Sequence, residues 1–201
     1  MKERANRILF LPRVPGGLRA GGLAVLLFFL GGPPAQGAGV ISEAQVKARY
    51  LELFARYVEW PGAGRPNDAL VVGVLGHDPF GSALEAAFAR QIANGRPVVV
   101  RRVGSSAEAQ ACDLVFISKE EARRQAVWLA ELADAPVLTV SDHEPALGAG
   151  AAILLVREET EGGGRLRFDV NLPAVERAGL RVGSDMMKSA RRVLRGDVSG
   201  S

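Results

Sequence analysis

One cysteine, Cys112, in 201 residues leaves no intramolecular disulfide to form. It stands in "ACDLVFIS", just ahead of an apolar run, where a buried small hydrophobe is the expectation and a free thiol open to pairing with another chain the alternative. Histidine is nearly as scarce, with only His77 and His143. A zinc site needs three or four converging ligands, so two distant histidines and one cysteine argue against one, and no metal or other cofactor is expected. Phosphate-binding signatures are missing as well. Gly73, Gly76 and Gly81 do not fit G-x-G-x-x-G, and no G-x-x-x-x-G-K-[ST] occurs. Nor is there a hydrophobic run long enough to span a bilayer: "LAVLLFFL" (Leu23 to Leu30) falls well short of the roughly 20 residues required. There is no internal repeat and no interdomain linker.

That apolar run belongs to a different pattern. Lys2, Arg4, Arg7, Arg13 and Arg19 precede it, and "GGPP" and the small residues "AQGAG" follow. Charged, apolar and small-residue regions in that order describe a secretory signal peptide over residues 1–38, with a mature N-terminus near Ala38 and one domain over residues 39–201. Five of the 25 basic and one of the 22 acidic residues fall within it, leaving 20 and 21 in the mature part. The high isoelectric point therefore belongs largely to the signal. No basic field remains for a nucleic acid, and no transmembrane segment is expected in the mature chain.

Twelve aromatic residues are few, yet "YLELFARYVEW" (Tyr50 to Trp60) holds both tyrosines and one of the two tryptophans, and ends at Pro61. Ser42 and Gln45 form a capping-box pattern ahead of it. Val46, Tyr50, Leu53, Phe54 and Tyr57 then recur at helical spacing, which predicts one inward stripe. Trp60 lies beyond the stripe, because the proline pushes it out of helical geometry. Trp60, with Tyr57 beside it, is the candidate partner-binding pair, the alternative being that Trp60 closes the core.

Downstream, apolar runs alternate with helical patterns. "LVVGVLG", "RPVVVRRV", "DLVFIS" and "APVLTVSD" read as strands, "PFGSALEAAFARQ" and "KEEARRQAVWLAELA" as helices. "AAILLVREE" and "RLRFDVN" around "TEGGG" read as an antiparallel hairpin at the sheet edge, followed by helices "LPAVERAG" and "SDMMKSARRVLR". The expected fold is α/β: one three-layer domain with a mainly parallel sheet, an antiparallel edge hairpin and helices on both faces. Ligands of such sheets favour the crevice at the C-terminal strand ends. The loops there supply His77, Asp78, Ser118, Lys119, Ser141 and Asp142 as candidate ligand-binding residues, although polar turn residues that cap the next helix account for them equally simply. Ser141, Asp142 and His143 are adjacent in sequence, which is no evidence of a catalytic triad.

The series "ARYLELFARYVEWP", "LVVGVLGHDPFGSALE", "NGRPVVVRRV", "CDLVFIS", "PVLTVSD" and "LRFDVNLPAVERAGLRVGSDMMKSAR", in this order, resembles the YfiR family of exported bacterial proteins over about residues 43–195. The resemblance implies a periplasmic α/β protein, often a homodimer, with no enzymatic activity. Its implied partner is the periplasmic domain of a membrane diguanylate cyclase or similar sensor, which it holds inactive, limiting cyclic-di-GMP signalling and biofilm formation. Family members under redox control use paired cysteines. Cys112 matches one of these and has no partner in this chain, which puts disulfide control in doubt. A periplasmic small-molecule-binding module signalling to another membrane sensor is the second reading.

Overall fold

Strand-forming β-branched runs separated by short helices dictate a layered sheet, and the computed structural model describes that sheet over residues 41–61, 69–89, 92–93, 96–161 and 163–196. The signal peptide expected over residues 1–38 lies outside the described residues. In chain order the elements are α1 (Glu43–Tyr57), β1 (Val58–Glu59), β2 (Leu70–Leu75), α2 (Ala83–Phe88), β3 (Ile92–Ala93), β4 (Arg96–Val103), α3 (Ser106–Ala109) and β5 (Leu114–Ile117). A 3-10 turn (Lys119–Glu121) then leads into α4 (Ala122–Glu131), β6 (Leu138–Ser141), α5 (Pro145–Gly148), β7 (Ile153–Thr160), β8 (Gly163–Asn171), α6 (Leu172–Arg177), β9 (Arg181–Val182), α7 (Ser184–Ser189) and β10 (Arg192–Leu194).

The main sheet has the order β10-β8-β7-β6-β5-β2-β4-β3. The pairs β7–β8 and β3–β4 are antiparallel and the rest parallel. Strands β5 and β6 are buried along their whole length, as strands covered on both faces must be. Alternation sorts their side chains between two cores. Val72, Val74, Leu114, Phe116, Leu138 and Val140 face α1, α2 and α6, whereas Leu75, Val115 and Ile117 face α3 and α4. The α/β class and the mainly parallel sheet expected from sequence are those observed.

The C-terminus departs from expectation. "SDMMKSARRVLR" forms a helix only as far as Ser189; Ala190 is extended (φ −63°, ψ 144°), and residues 192–194 pair parallel to β8. The hairpin therefore stands one short strand in from the edge. Asp169 explains the change. It is fully buried, and a buried carboxylate is costly unless paired. Arg191 approaches it with two nitrogens, Nε to Oδ1 at 2.8 Å and Nη2 to Oδ2 at 2.6 Å, and Arg192 Nη2 reaches Oδ2 at 2.8 Å. Two adjacent arginines converge on one carboxylate here because the segment is extended, and the local helical preference yields to that pairing.

Candidate functional site

Helix α1 is capped as its sequence dictates. Ser42 Oγ accepts from the Gln45 N–H, and Gln45 Oε1 accepts from the Ser42 N–H. Its inward face differs from the one expected. Ala48, Leu51, Phe54, Ala55 and Val58 are fully buried, whereas Val46, Tyr50 and Leu53 are only half-buried and Tyr57 is 41% exposed. At 100° per residue the two stripes centre roughly 130° apart, with Phe54 between them. The side carrying the small Ala48 and Ala55 packs into the main core, and the bulkier stripe turns out. Tyr50 stays anchored at both ends, its ring edge-on to Phe168 at 5.8 Å and its hydroxyl donating to Leu166 O at 2.7 Å.

The outward stripe lines a row of shallow hollows. One is bounded by Val46, Arg49, Tyr50 and Leu53, the next by Leu53, Tyr57, Met186 and the polar Asp185 and Ser189. A third lies between Ile41, Val46 and Leu166, rimmed by Glu43 and Arg157. Ile41 is 71% exposed. These apolar side chains, flanked by charge, form a continuous accessible stripe along α1.

Trp60 does not belong to it. The residue is 9% exposed and part of the core, and its Nε1–H donates to Asp113 O at 2.9 Å. Pairing of β1 with β9, Val58 opposite Val182, carries the chain round after α1, and the indole comes down at the start of β5. The anchor role expected for Trp60 is corrected to a core role; Tyr57 alone of the pair stays accessible.

The six loop residues are brought together at the C-terminal strand ends, where the side chains of Asp78, Ser141 and Asp142 bond to the loops and their neighbours, while Ser118 Oγ is buried without a hydrogen-bond partner among the described residues. Asp142 Oδ1 accepts the Lys119 N–H at 2.7 Å, and its Oδ2 meets Lys47 Nζ at 2.5 Å. Lys47, itself buried, also reaches Glu43 at 2.6 Å. Burial opposes the charge of this ammonium, yet the bonds to Asp142 and Glu43 prevail and its pKa is raised. Ser141 Oγ accepts from Gln125 Nε2 and from the His143 N–H, while Gln125 Oε1 lies 2.7 Å from His143 Nδ1. Ser118 is fully buried. Asp78 Oδ1 accepts the Phe80 N–H at 2.7 Å, and Oδ2 pairs with Arg102, which also pairs with Glu85.

Crossover direction reverses between β2 and β5, where a ligand of this fold class would sit. A carboxylate of the chain spans that position. Gly76, at φ 80°, turns the His77 N–H toward Glu121 Oε1 at 2.9 Å, and a Cβ on Gly76 would collide with the same carboxylate. The His77 ring is exposed, with Nδ1 3.9 Å from Glu120. Among the described residues no group of three His, Cys, Asp or Glu could hold a metal ion, and no helix is long and apolar enough to cross a membrane.

The YfiR/HmsC-like family model matches residues 44–191. Among solved structures, a conserved domain protein from Vibrio cholerae O1 biovar El Tor is similar at 14% identity and a TM-score of 0.50, over 76% of this chain and 60% of that one. The ABC domain in complex with L-Trp from Streptococcus pneumonia matches at 12% identity and a TM-score of 0.49, over 73% of this chain and 60% of that one. This chain thus spans about 60% of the length of each. At such identities the first likeness concerns the fold alone.

Proposed function

The chain belongs to the YfiR/HmsC-like family, whose general role is that of a periplasmic regulator, and from that premise we propose that it binds the periplasmic domain of a membrane diguanylate cyclase and holds it inactive, lowering cyclic-di-GMP and biofilm formation. In this reading the protein is an exported homodimer that signals by contact and carries out no catalysis. The observation that supports it is the outward stripe of α1, where Val46, Leu53 and Tyr57 stand at helical spacing on a face the rest of the chain leaves accessible. An amphipathic helix presenting such anchors to a groove is an established mode of protein recognition. The small-molecule reading draws no comparable support, since Glu121 fills the strand-end position a solute would take.

The experiment replaces Leu53 and Tyr57 with glutamate in cells carrying the cyclase, and measures cyclic-di-GMP by mass spectrometry beside the melting temperature of the purified variant. Leu53 and Tyr57 lie outside the core clusters, so the fold should persist while repression is lost. Cyclic-di-GMP levels that stay low in a folded double variant refute the assignment of this face. Levels that do not rise when the whole protein is deleted refute the function.

A further inference from the structure

Strand β4 presents an open hydrogen-bonding edge. Its inner side pairs with β2 from Leu70 opposite Val98 to Leu75 opposite Val103. On its outer side, among the described residues, only β3 pairs, at Arg96 and Pro97. Which groups remain open follows from one bond: the Gly76 N–H donates to Val103 O at 3.0 Å, so the backbone of Val103 points toward β2. By the alternation of an unbroken ladder, Val99 and Arg101 point the same way, and the N–H and C=O of Val98, Val100 and Arg102 point outward.

The side chains along this edge are unevenly furnished. Arg102 is already neutralised by Asp78 and Glu85. Arg101 is exposed, makes no ion pair among the described residues, and stands opposite Gly73, which has no side chain to shield it. Val99, two residues away on the same face, is 41% exposed.

We propose that the β4 edge receives an acidic, extended segment of a partner protein as an added antiparallel strand, with an acidic residue facing Arg101 and an apolar one, two positions later, facing Val99. Outward backbone groups supply the affinity of such strand addition, and alternate side chains supply the selectivity. A second copy of this chain is disfavoured at the edge, because symmetric pairing would bring the unpaired Arg101 of each strand within a few residues of the other, and like charges on facing strands repel. The inference takes from the proposed function only that the chain works by contact.

The test uses the full chain and fluorescent seven-residue peptides that alternate threonine with a glutamate–valine pair ordered Glu-x-Val, or with lysine in place of the glutamate. The acidic peptide should bind at least about fivefold tighter, with the difference shrinking in high salt. Arg101→Glu should reverse the preference. Val100→Pro removes one outward N–H and should abolish binding of both peptides; where that variant does not fold, N-methylation of the peptide backbone on the native chain should do the same. Equal binding of the two peptides, or no saturable binding at millimolar concentration, overturns the proposal, as does an edge occupied by a second copy, seen as dimer loss in Val100→Pro while Arg101→Glu leaves the dimer intact. None of these outcomes bears on the Leu53 and Tyr57 experiment, so the two readings fail separately.

Discussion

Replacing Trp60 tests most directly whether the aromatic cluster after α1 is core or surface. The side chain is 9% exposed within the main core, and its indole N–H donates to Asp113 O, which also accepts the Leu138 N–H at 2.8 Å. Trp60→Phe keeps most of the ring burial and removes the bond. Because Asp113 O retains its backbone donor, the cost should stay near that of one ordinary hydrogen bond, about 0.5–1.5 kcal/mol. Trp60→Ala removes the ring as well and should cost about 3–5 kcal/mol. For a domain of this size each kcal/mol moves the melting temperature by about 2–4 °C, so the two variants should melt about 1–6 °C and about 6–20 °C below the parent. Circular dichroism melts of both, scored with cyclic-di-GMP levels in cells, separate the roles. A Trp60→Ala protein that melts with the parent and yet loses repression refutes the core assignment and restores Trp60 to the partner surface.

Three further outcomes follow from the packing. A Cβ on Gly73 would stand 2.8 Å from Cys112 Sγ, so Gly73→Ala should destabilise by about 1–3 kcal/mol, and a double-mutant cycle in urea should show part of that cost relieved in a Cys112→Ala background. Burial raises the Cys112 thiol pKa, and a thiol reagent should label the native protein slowly and the denatured protein at once; rapid native labelling would revive a redox role. For Asp169, burial alone would raise the pKa, but Arg191 and Arg192 outweigh it and hold the carboxyl below its ordinary value. A depressed folded-state pKa means stability that is present above the unfolded value and lost as pH falls through the folded one. Acidification below about pH 4 should therefore release β10, read as accelerated hydrogen exchange at residues 192–194, and Asp169→Asn should abolish that pH dependence.

Much of the fold was legible because strands buried on both faces announce themselves as apolar runs: β5 and β6 lie within "DLVFIS" and "APVLTVSD", and the half-exposed β4 begins and ends where "RPVVVRRV" does. The capping box at Ser42 was equally plain. Two features were not. Helix α1 carries apolar residues around more than half its circumference, and periodicity alone favoured the bulkier stripe; the choice of inward face rested on packing partners, α2 among them, that periodicity does not specify. At the C-terminal end, Arg191 and Arg192 lie in a segment whose pattern reads as helix, because their partner Asp169 is remote in sequence and its burial is not visible there. The strand-end loops were placed correctly, but which acceptors their polar groups would find depended on α1 and α4 arriving above them, as Lys47 and Glu121 show.

The contacts that hold α1 also fix when it can settle. Tyr50 waits for Leu166, 116 residues downstream, and Lys47 for Asp142, 95 residues downstream. A chain made from its N-terminus produces α1 well before β6, β7 and β8, so the contacts with α2 can form early while those to Asp142 and Leu166 must wait. Loop closure over such separations is slow, and exposed apolar surface invites aggregation in the interval. Helix α1 is thus secured in two stages, and until the later strands are made a chaperone that holds nascent chains would find its binding segment on the stripe of α1 that still waits for them.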